Sequence, residues 1–290
     1  GSDLDGRADL YAVGVMLFEL LTGQKPFSAD DPIGVVRKHL NTPPPTLAAS
    51  RPQGAQAYAR SMAPDPLAPR ISYTGDAVDI GGLADNPYAV ASAWIDAAVA
   101  RAAERGDVPE PTAMAVATVD AVGLPDVRTV LMRFLTPEGP GFVTNLDSAK
   151  GRQLAANPGV AATLTWPAMF RAIRFRGRAV ELPDELVRDY FVTRPWGSRI
   201  SAWASEQSAP IASRSASAAR SSELAARWPD TGSPDDVPVP TRWGGYRIVP
   251  EEVEFWAGRP DRLHDRIVYA RVAEGSLADA AAWAISRRQP

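Results

Sequence analysis

The chain has 290 residues, 45% hydrophobic and 22% charged, the balance of a soluble globular protein with room for one large domain or two modest ones. Its 31 basic and 34 acidic residues leave a formal net charge of -3, so no global field draws nucleic acid and any anion site must be a local cluster. There is no cysteine, which excludes disulfides, thiolate nucleophiles and zinc-thiolate centres, and His39 and His264 are the two imidazoles available for chemistry.

In chain order, Leu10, Val13, Leu17, Leu20 and Leu21 share a helical stripe that Gly23 and Pro26 stop, which predicts a helix over 9–21. Tyr11, Val15, Met16 and Phe18 make its other face apolar as well, so it reads as a buried core helix. A membrane span fails, because the run is far short of about 20 residues and contains Glu19. Asp31 and Pro32 open a second helix that runs to about Leu40. The segment from Asp5 to Phe27, with the helix after it, resembles the C-lobe of bacterial serine/threonine protein kinases over residues 1–45. The glycine-rich loop, strand lysine, His-Arg-Asp loop and Asp-Phe-Gly site of phosphoryl transfer are absent from the sequence, so the resemblance implies a noncatalytic remnant in which Asp9 and His39 are structural. No basic and apolar targeting pattern opens the chain, and a cytoplasmic protein is expected.

Residues 46–69 are rich in Pro, Ala, Ser and Gln without periodicity and read as a linker to a second domain over 70–290. Within that domain, 86–105 reads as an amphipathic helix capped by Asn86 or Asp85, with Val90, Trp94, Ala98 and Ala102 on one face. Alternation predicts strands over 113–120, 128–134 and 141–145. Ser148 then opens a helix close to Lys150, a combination suited to anions. Strands over 160–166 and 170–181 and helices over 184–191 and 198–205 follow. Successive hairpins with helices outside them, and no Gly-x-Gly-x-x-Gly fingerprint, indicate an α+β chain built on an antiparallel barrel or roll. Glu254 to Arg266 reads as strand, Gly-Arg-Pro turn and strand, carrying two aromatics, His264 and three arginines. By itself it fits a solvated hairpin and a site for an anionic planar ligand equally well.

Three groups of residues suit anions: Arg128, Ser148 and Lys150; Arg133, Tyr190, Arg194 and Ser198; Arg262, His264 and Arg266. Any single arginine is most simply a solvated surface group, but three such groups exceed that explanation. Arg128-Thr-Val-Leu-Met-Arg, Thr144-Asn-Leu-Asp-Ser-Ala-Lys, Tyr190-Phe-Val-Thr-Arg-Pro-Trp-Gly-Ser, Ala202-Trp-Ala-Ser-Glu-Gln-Ser, Trp243-Gly-Gly-Tyr-Arg, Glu254-Phe-Trp and Arg262-Leu-His-Asp-Arg occur in this order. At these motifs, and at the Arg287 to Pro290 ending, the chain resembles the pyridoxine/pyridoxamine 5'-phosphate oxidase family.

That resemblance implies an antiparallel split β-barrel homodimer binding FMN at the subunit interface. It implies oxidation of pyridoxamine or pyridoxine 5'-phosphate to pyridoxal 5'-phosphate, with oxygen accepting the electrons and hydrogen peroxide formed. Carried over by position, Arg128, Thr144, Ser148, Lys150, Gln207, Ser208, Trp256 and Arg266 contact FMN. Arg133, Tyr190, Arg194 and Ser198 hold the substrate phosphate, and Arg262 and His264 lie at the reacting carbon as catalytic residues. Arg70 and Tyr73 resemble a segment that covers the pocket. The chain departs from the family at Val143, Ala149, Ala172 and Ala257, where an aromatic, an arginine and two glutamines are usual. An arginine contact is worth about 1.5 to 3 kcal/mol and an amide bond about 1, so FMN affinity is expected to drop by two or three decades unless Arg174 or Arg176 compensates. Other readings stay open: a related flavin or deazaflavin oxidoreductase on another ring substrate, and a flavin- or pyridoxal-phosphate-binding protein without turnover.

Overall fold

The structure, a computed structural model, describes residues 19, 25–29, 31–43, 45 and 71–290. The chain divides into a unit of residues 1–70 and a unit of residues 71–290. In the first, helix α1 (Pro32–Asn41) starts where expected, its Asp31 carboxylate accepting the Gly34 N–H at 2.7 Å. His39 packs edge-on against Phe27, with ring centroids 4.7 Å apart. Apart from Glu19, the helix expected over 9–21 lies outside the described residues, as do Arg70 and residues 46–69.

The second unit opens with helix α2 (Pro87–Arg105), capped by Asn86, which accepts the Ala89 N–H at 2.9 Å, and closed by Gly106 in the left-handed region at φ 69°. Its Val90, Ala91, Trp94, Ile95 and Ala98 are buried, so the predicted stripe is the core face. The strands are β1 (Ala113–Val119), β2 (Pro125–Leu131), β3 (Phe134–Thr136), β4 (Gly139–Asn145), β5 (Gly159–Trp166), β6 (Arg171–Glu181), β7 (Trp243–Ala257), β8 (Asp265–Arg271) and β9 (Trp283–Arg287). They form one nine-stranded sheet in the order β2-β1-β5-β6-β7-β4-β3, with β8 paired to β7 and β9 to β8. Every pairing is antiparallel.

The run expected as one strand over 128–134 is two, because its backbone changes partner. Met132 donates its N–H to Thr112, continuing the β1 side, while Arg133 donates to Gly141 and begins the β4 side. A similar split divides β7: Trp243–Arg247 pairs with β4, and Glu252–Ala257 pairs with β8. Between these halves the β6 register shifts at Arg176/Gly177, and a Cβ at Gly177 would lie 2.1 Å from the Val249 carbonyl oxygen. The sheet therefore curls and opens rather than closing, the split-barrel arrangement of an α+β chain.

Helices α3 (Ala149–Ala156), α4 (Asp184–Thr193), α5 (Trp196–Ala204) and α6 (Arg214–Arg227) complete the unit. The main core gathers Phe142, Trp166, Phe175, Phe255 and Tyr269 around the sheet, with Phe255 in edge contact with Trp94 at 5.3 Å and Tyr269 at 5.5 Å. A second core joins Phe191, Ile200, Leu224 and Val237, ringed by Trp196, Trp203, Trp228 and Trp243. Helix α6 and strand β9 were not anticipated. Leu224 is the one buried residue of α6, so its Ala/Ser/Arg sequence offers no stripe to read.

Candidate functional site

A cleft of about 780 Å³ lies beside β2 and β4, with α3 to one side and residues of α4, α5 and the segment after α5 completing its walls. It gathers Arg128, Thr144, Lys150, Gln207 and Ser208 together with Arg133, Tyr190, Arg194 and Ser198. Two sets of residues chosen separately from sequence thus share one space. Ser148 is buried behind them as the α3 N-cap, its Oγ accepting the Gly151 N–H at 3.3 Å.

Lys150 is the centre of the flavin-suited set. Its side chain is buried, and Nζ donates to Thr144 Oγ1 at 3.0 Å, Ser148 Oγ at 3.3 Å and Gln207 Oε1 at 2.7 Å. All three acceptors are neutral. Burial, reinforced by repulsion from Arg128 and only partly opposed by Asp126, pushes the ammonium down to about 8. A buried cation without a carboxylate against it is an arrangement completed by an anionic ligand. Ser208, at φ 74°, aims its Oγ back at α3 and accepts the Ala149 N–H at 3.2 Å.

Arg194 plays the matching part in the second set. Its guanidinium lies 4.3 Å over the Trp243 ring and 5.7 Å over Phe191, and burial lowers its pKa, with Tyr190 opposing and Arg133 adding to the shift. Arg194 Nη1 and Trp243 Nε1 are buried donors with no hydrogen-bond partner among the described residues. Arg133 sits 6.0 Å from the Tyr190 ring centre, and Tyr190 itself is braced edge-on by Phe134 at 5.6 Å. Trp243 is a lining residue that the sequence reading quoted in a motif without giving it a role.

Trp256, Arg262, His264 and Arg266 do not line this cleft. They form a rim where β7 turns into β8. Tyr73 packs there against Phe170 at 5.1 Å, Trp256 at 6.0 Å and His264 at 5.3 Å, with Trp256 and His264 4.8 Å apart. The Arg262 guanidinium stacks 4.7 Å over Tyr73. The turn holding these groups is strained: Asp261 and Arg262 have φ of 56° and 65°, and Phe170 beneath has 50°. Such non-glycine residues persist where the surroundings over-determine them, which is common at sites. The Arg259 N–H donates to His264 Nδ1 at 3.1 Å, so a neutral imidazole carries its proton on Nε2. Burial and then Arg262 lower the His264 pKa, which keeps that neutral form.

Arg266 is differently placed from Lys150 and Arg194. It grips the buried Glu254 through Nε at 2.7 Å and Nη2 at 3.0 Å. Arg174 reaches Glu252 and Glu254 at 2.6 Å each, and Arg288 adds to Glu252 at 2.6 Å. Burial alone would raise the Glu254 carboxyl, yet the bonds from Arg266 and Arg174 outweigh it and hold the pKa low. Arg174 is thus engaged by two carboxylates of β7. Of the positions that depart from the family pattern, Val143 and Ala149 line the cleft, Ala172 lies opposite Trp256, and Ala257 is buried opposite Arg171 and Asp265.

Comparisons with known proteins show the family. Residues 100–227 match the family profile described as pyridoxamine 5'-phosphate oxidase, and residues 243–290 match the pyridoxine 5'-phosphate oxidase C-terminal dimerisation region. A pyridoxine/pyridoxamine 5'-phosphate oxidase of Kineococcus radiotolerans is 46% identical over 228 residues, covering 78% of this chain and 99% of that protein. One from Burkholderia thailandensis is 42% identical over 221 residues, covering 76% and 97%. Among solved structures, PhzG from Burkholderia lata 383 in complex with tetrahydrophenazine-1-carboxylic acid superposes with a TM-score of 0.65 at 29% identity, covering 75% of this chain and 100% of that one. A pyridoxamine 5'-phosphate oxidase-related FMN-binding protein from Nostoc punctiforme PCC 73102 shares the fold, with a TM-score of 0.52 at 19% identity over 72% and 99%. The chain belongs to the pyridoxine/pyridoxamine 5'-phosphate oxidase family.

Proposed function

We propose that this chain oxidises pyridoxamine or pyridoxine 5'-phosphate to pyridoxal 5'-phosphate, using FMN and passing the electrons to oxygen to give hydrogen peroxide. The observation that carries the reading is a cleft holding the buried Lys150 and the half-buried Arg194, with no carboxylate among the described residues paired to either. Two phosphate-suited positions in one cleft match a flavin phosphate and a substrate phosphate. Arg128, Thr144, Ser148, Lys150, Gln207 and Ser208 are the FMN set, and Arg133, Tyr190, Arg194 and Ser198 the substrate-phosphate set. Bound there, FMN supplies a ring that accepts the hydride from the substrate's 4' carbon.

The residues of this chain do the rest. The cations neutralise and orient both phosphates, which fixes the donor carbon in one place and removes most of the entropic cost of the encounter. Hydride loss from that carbon is matched by loss of a proton from its hydroxyl or amine to water, with water then replacing ammonia in the amine substrate, and His264, its Nδ1 engaged by the Arg259 N–H, orients the reacting group from its Nε2 side. Arg262, stacked on Tyr73, sets a positive charge at the same rim. Since the rim does not line the cleft of its own chain, the complete site is composite: a homodimer in which Trp256, Arg262, His264 and Arg266 of one subunit face the cleft of the other. The match of residues 243–290 to a dimerisation region supports that assembly. The reading includes a cytoplasmic location. The likeness to PhzG, together with Val143 and Ala149 in the cleft wall, supports a second reading, a related flavin oxidase acting on another ring compound.

The test is an assay of the full chain with FMN and pyridoxamine 5'-phosphate, following aldehyde and peroxide together. Equal yields of both are expected, with far slower turnover of unphosphorylated pyridoxamine. Full flavin binding with no aldehyde would refute the oxidase reading and favour another ring substrate.

A further inference from the structure

Asp126 on β2 is the one carboxylate among the described residues lining a cleft that Arg128, Arg133, Lys150 and Arg194 otherwise dominate. Its Oδ2 accepts from Arg128 Nη2 at 2.5 Å and from Gln153 Nε2 at 3.2 Å. Arg128 spends its terminal nitrogens on acceptors of its own chain. Nη1 donates to the Val116 carbonyl at 3.2 Å and Thr118 Oγ1 at 2.6 Å, and Nη2 donates to Asp126 and to Gln153 Oε1 at 2.8 Å. A guanidinium has five N–H groups, four of them on these two nitrogens, so no fork is open for a bidentate phosphate.

Lys150 and Arg194 wait for an anion, whereas Arg128 already holds one. Of its four acceptors, three are fixed in place: a strand carbonyl, the buried Thr118 hydroxyl, and Gln153, which is itself tied to Thr118 at 2.6 Å. Asp126 is the exposed one, its side chain 48% accessible and so free to turn to solvent without disturbing the core. We infer that Asp126 is an affinity-setting residue, a built-in anion that occupies the Arg128 fork in the free protein and competes there with the phosphate of an incoming ligand. If the carboxylate swings out to solvent, its bond to Arg128 is lost. If it stays, it faces the phosphate as a like charge. Either course weakens binding relative to what the four cations alone would give. The inference rests on reading the cleft as a phosphate-ligand site, with FMN at the Arg128 end.

The test compares the full-length wild type with Asp126→Asn and Asp126→Ala, both at an exposed position that leaves the core untouched. Each protein is titrated with FMN and with riboflavin by fluorescence quenching, and with orthophosphate by thermal shift. Both variants are expected to bind FMN about five- to tenfold tighter, with riboflavin affinity unchanged and the orthophosphate midpoint lowered in parallel. Equal or weaker FMN binding would overturn the inference, since Asp126 would then be preorganising Arg128 rather than competing for it. Tightening that extends equally to riboflavin would also overturn it, pointing to cleft shape instead of phosphate. If none of the proteins binds either flavin, the flavin reading fails by itself, and orthophosphate decides the role of Asp126. A lower midpoint in the variants then upholds the competition, and an unchanged one ends it.

Discussion

In the cleft, the buried Lys150 and the half-buried Arg194 meet neutral oxygens and aromatic faces, with no carboxylate among the described residues paired to them. At the rim, Arg266 and Arg174 lie against Glu254 at 2.6 to 3.0 Å, and burial and then Arg262 favour neutral His264, whose Nδ1 accepts the Arg259 N–H. The two regions use the same residue types to opposite ends. An unpaired buried cation raises the free energy of the empty protein and recovers it on binding an anion, while a paired one fastens strands together. On the proposed function, the cleft is where charge is bound, and the rim is a support for two groups, Arg262 and His264, presented from a turn with positive φ at Asp261 and Arg262.

The sharpest way to break this division is His264→Ala. Turnover should fall by about 10²- to 10⁴-fold while FMN affinity changes little, as read by steady-state kinetics beside flavin quenching. Equal losses in both would put His264 in the flavin site. Next in size, Lys150→Met should weaken FMN binding by about 10- to 100-fold, the worth of a charge-assisted bond to phosphate. Arg194→Ala should raise KM for the phosphorylated substrate over a similar range and leave unphosphorylated pyridoxamine unaffected.

Two smaller effects sharpen the electrostatics. Because the Lys150 ammonium titrates near 8 in the free protein, it is charged below that value and loses its charge above it. FMN affinity should accordingly drop as pH rises through that point, and Lys150→Arg should abolish the drop, since guanidinium stays charged. The smallest effect is at His264. Its pKa is lowered, so the folded protein keeps the neutral form below the ordinary value of about 6.5, and the stability linked to it, full above that value, is lost progressively as pH falls from there through the lowered one. Arg262→Gln should move the His264 titration back upward, followed by NMR in a chain with two histidines.

Much of this was legible from sequence because it rests on short-range rules. The Asn86 and Ser148 caps, the α2 stripe and the alternating strands follow from local periodicity. The motifs brought Arg128, Arg133, Thr144, Lys150, Tyr190, Arg194, Ser198, Gln207 and Ser208 to the cleft, though not Trp256, Arg262, His264 or Arg266. Three things were hidden, and each is a long-range pairing. The partner switch at Met132 and Arg133 depends on where β4 lies, not on the residues themselves. The capture of Arg266 by Glu254 joins two strands across a turn, and a twelve-residue separation carries no signal of a bidentate pair. Asp126 stands two residues before Arg128, alternate positions along β2 whose side chains share a face, yet nothing in the spacing says that Gln153 will bridge them.

The division between cleft and rim is tested most directly by mixing subunits. Lys150→Met and His264→Ala proteins are unfolded, combined in equal amounts and refolded, and pyridoxamine 5'-phosphate oxidation is measured at an FMN concentration that loads the wild-type cleft and leaves the Lys150→Met cleft largely empty. A composite site predicts recovery of about a quarter of wild-type activity, because half the dimers are mixed and each mixed dimer has one intact site of two. No recovery above the separate mutants would contradict it, and would place cleft and rim in the same subunit's site.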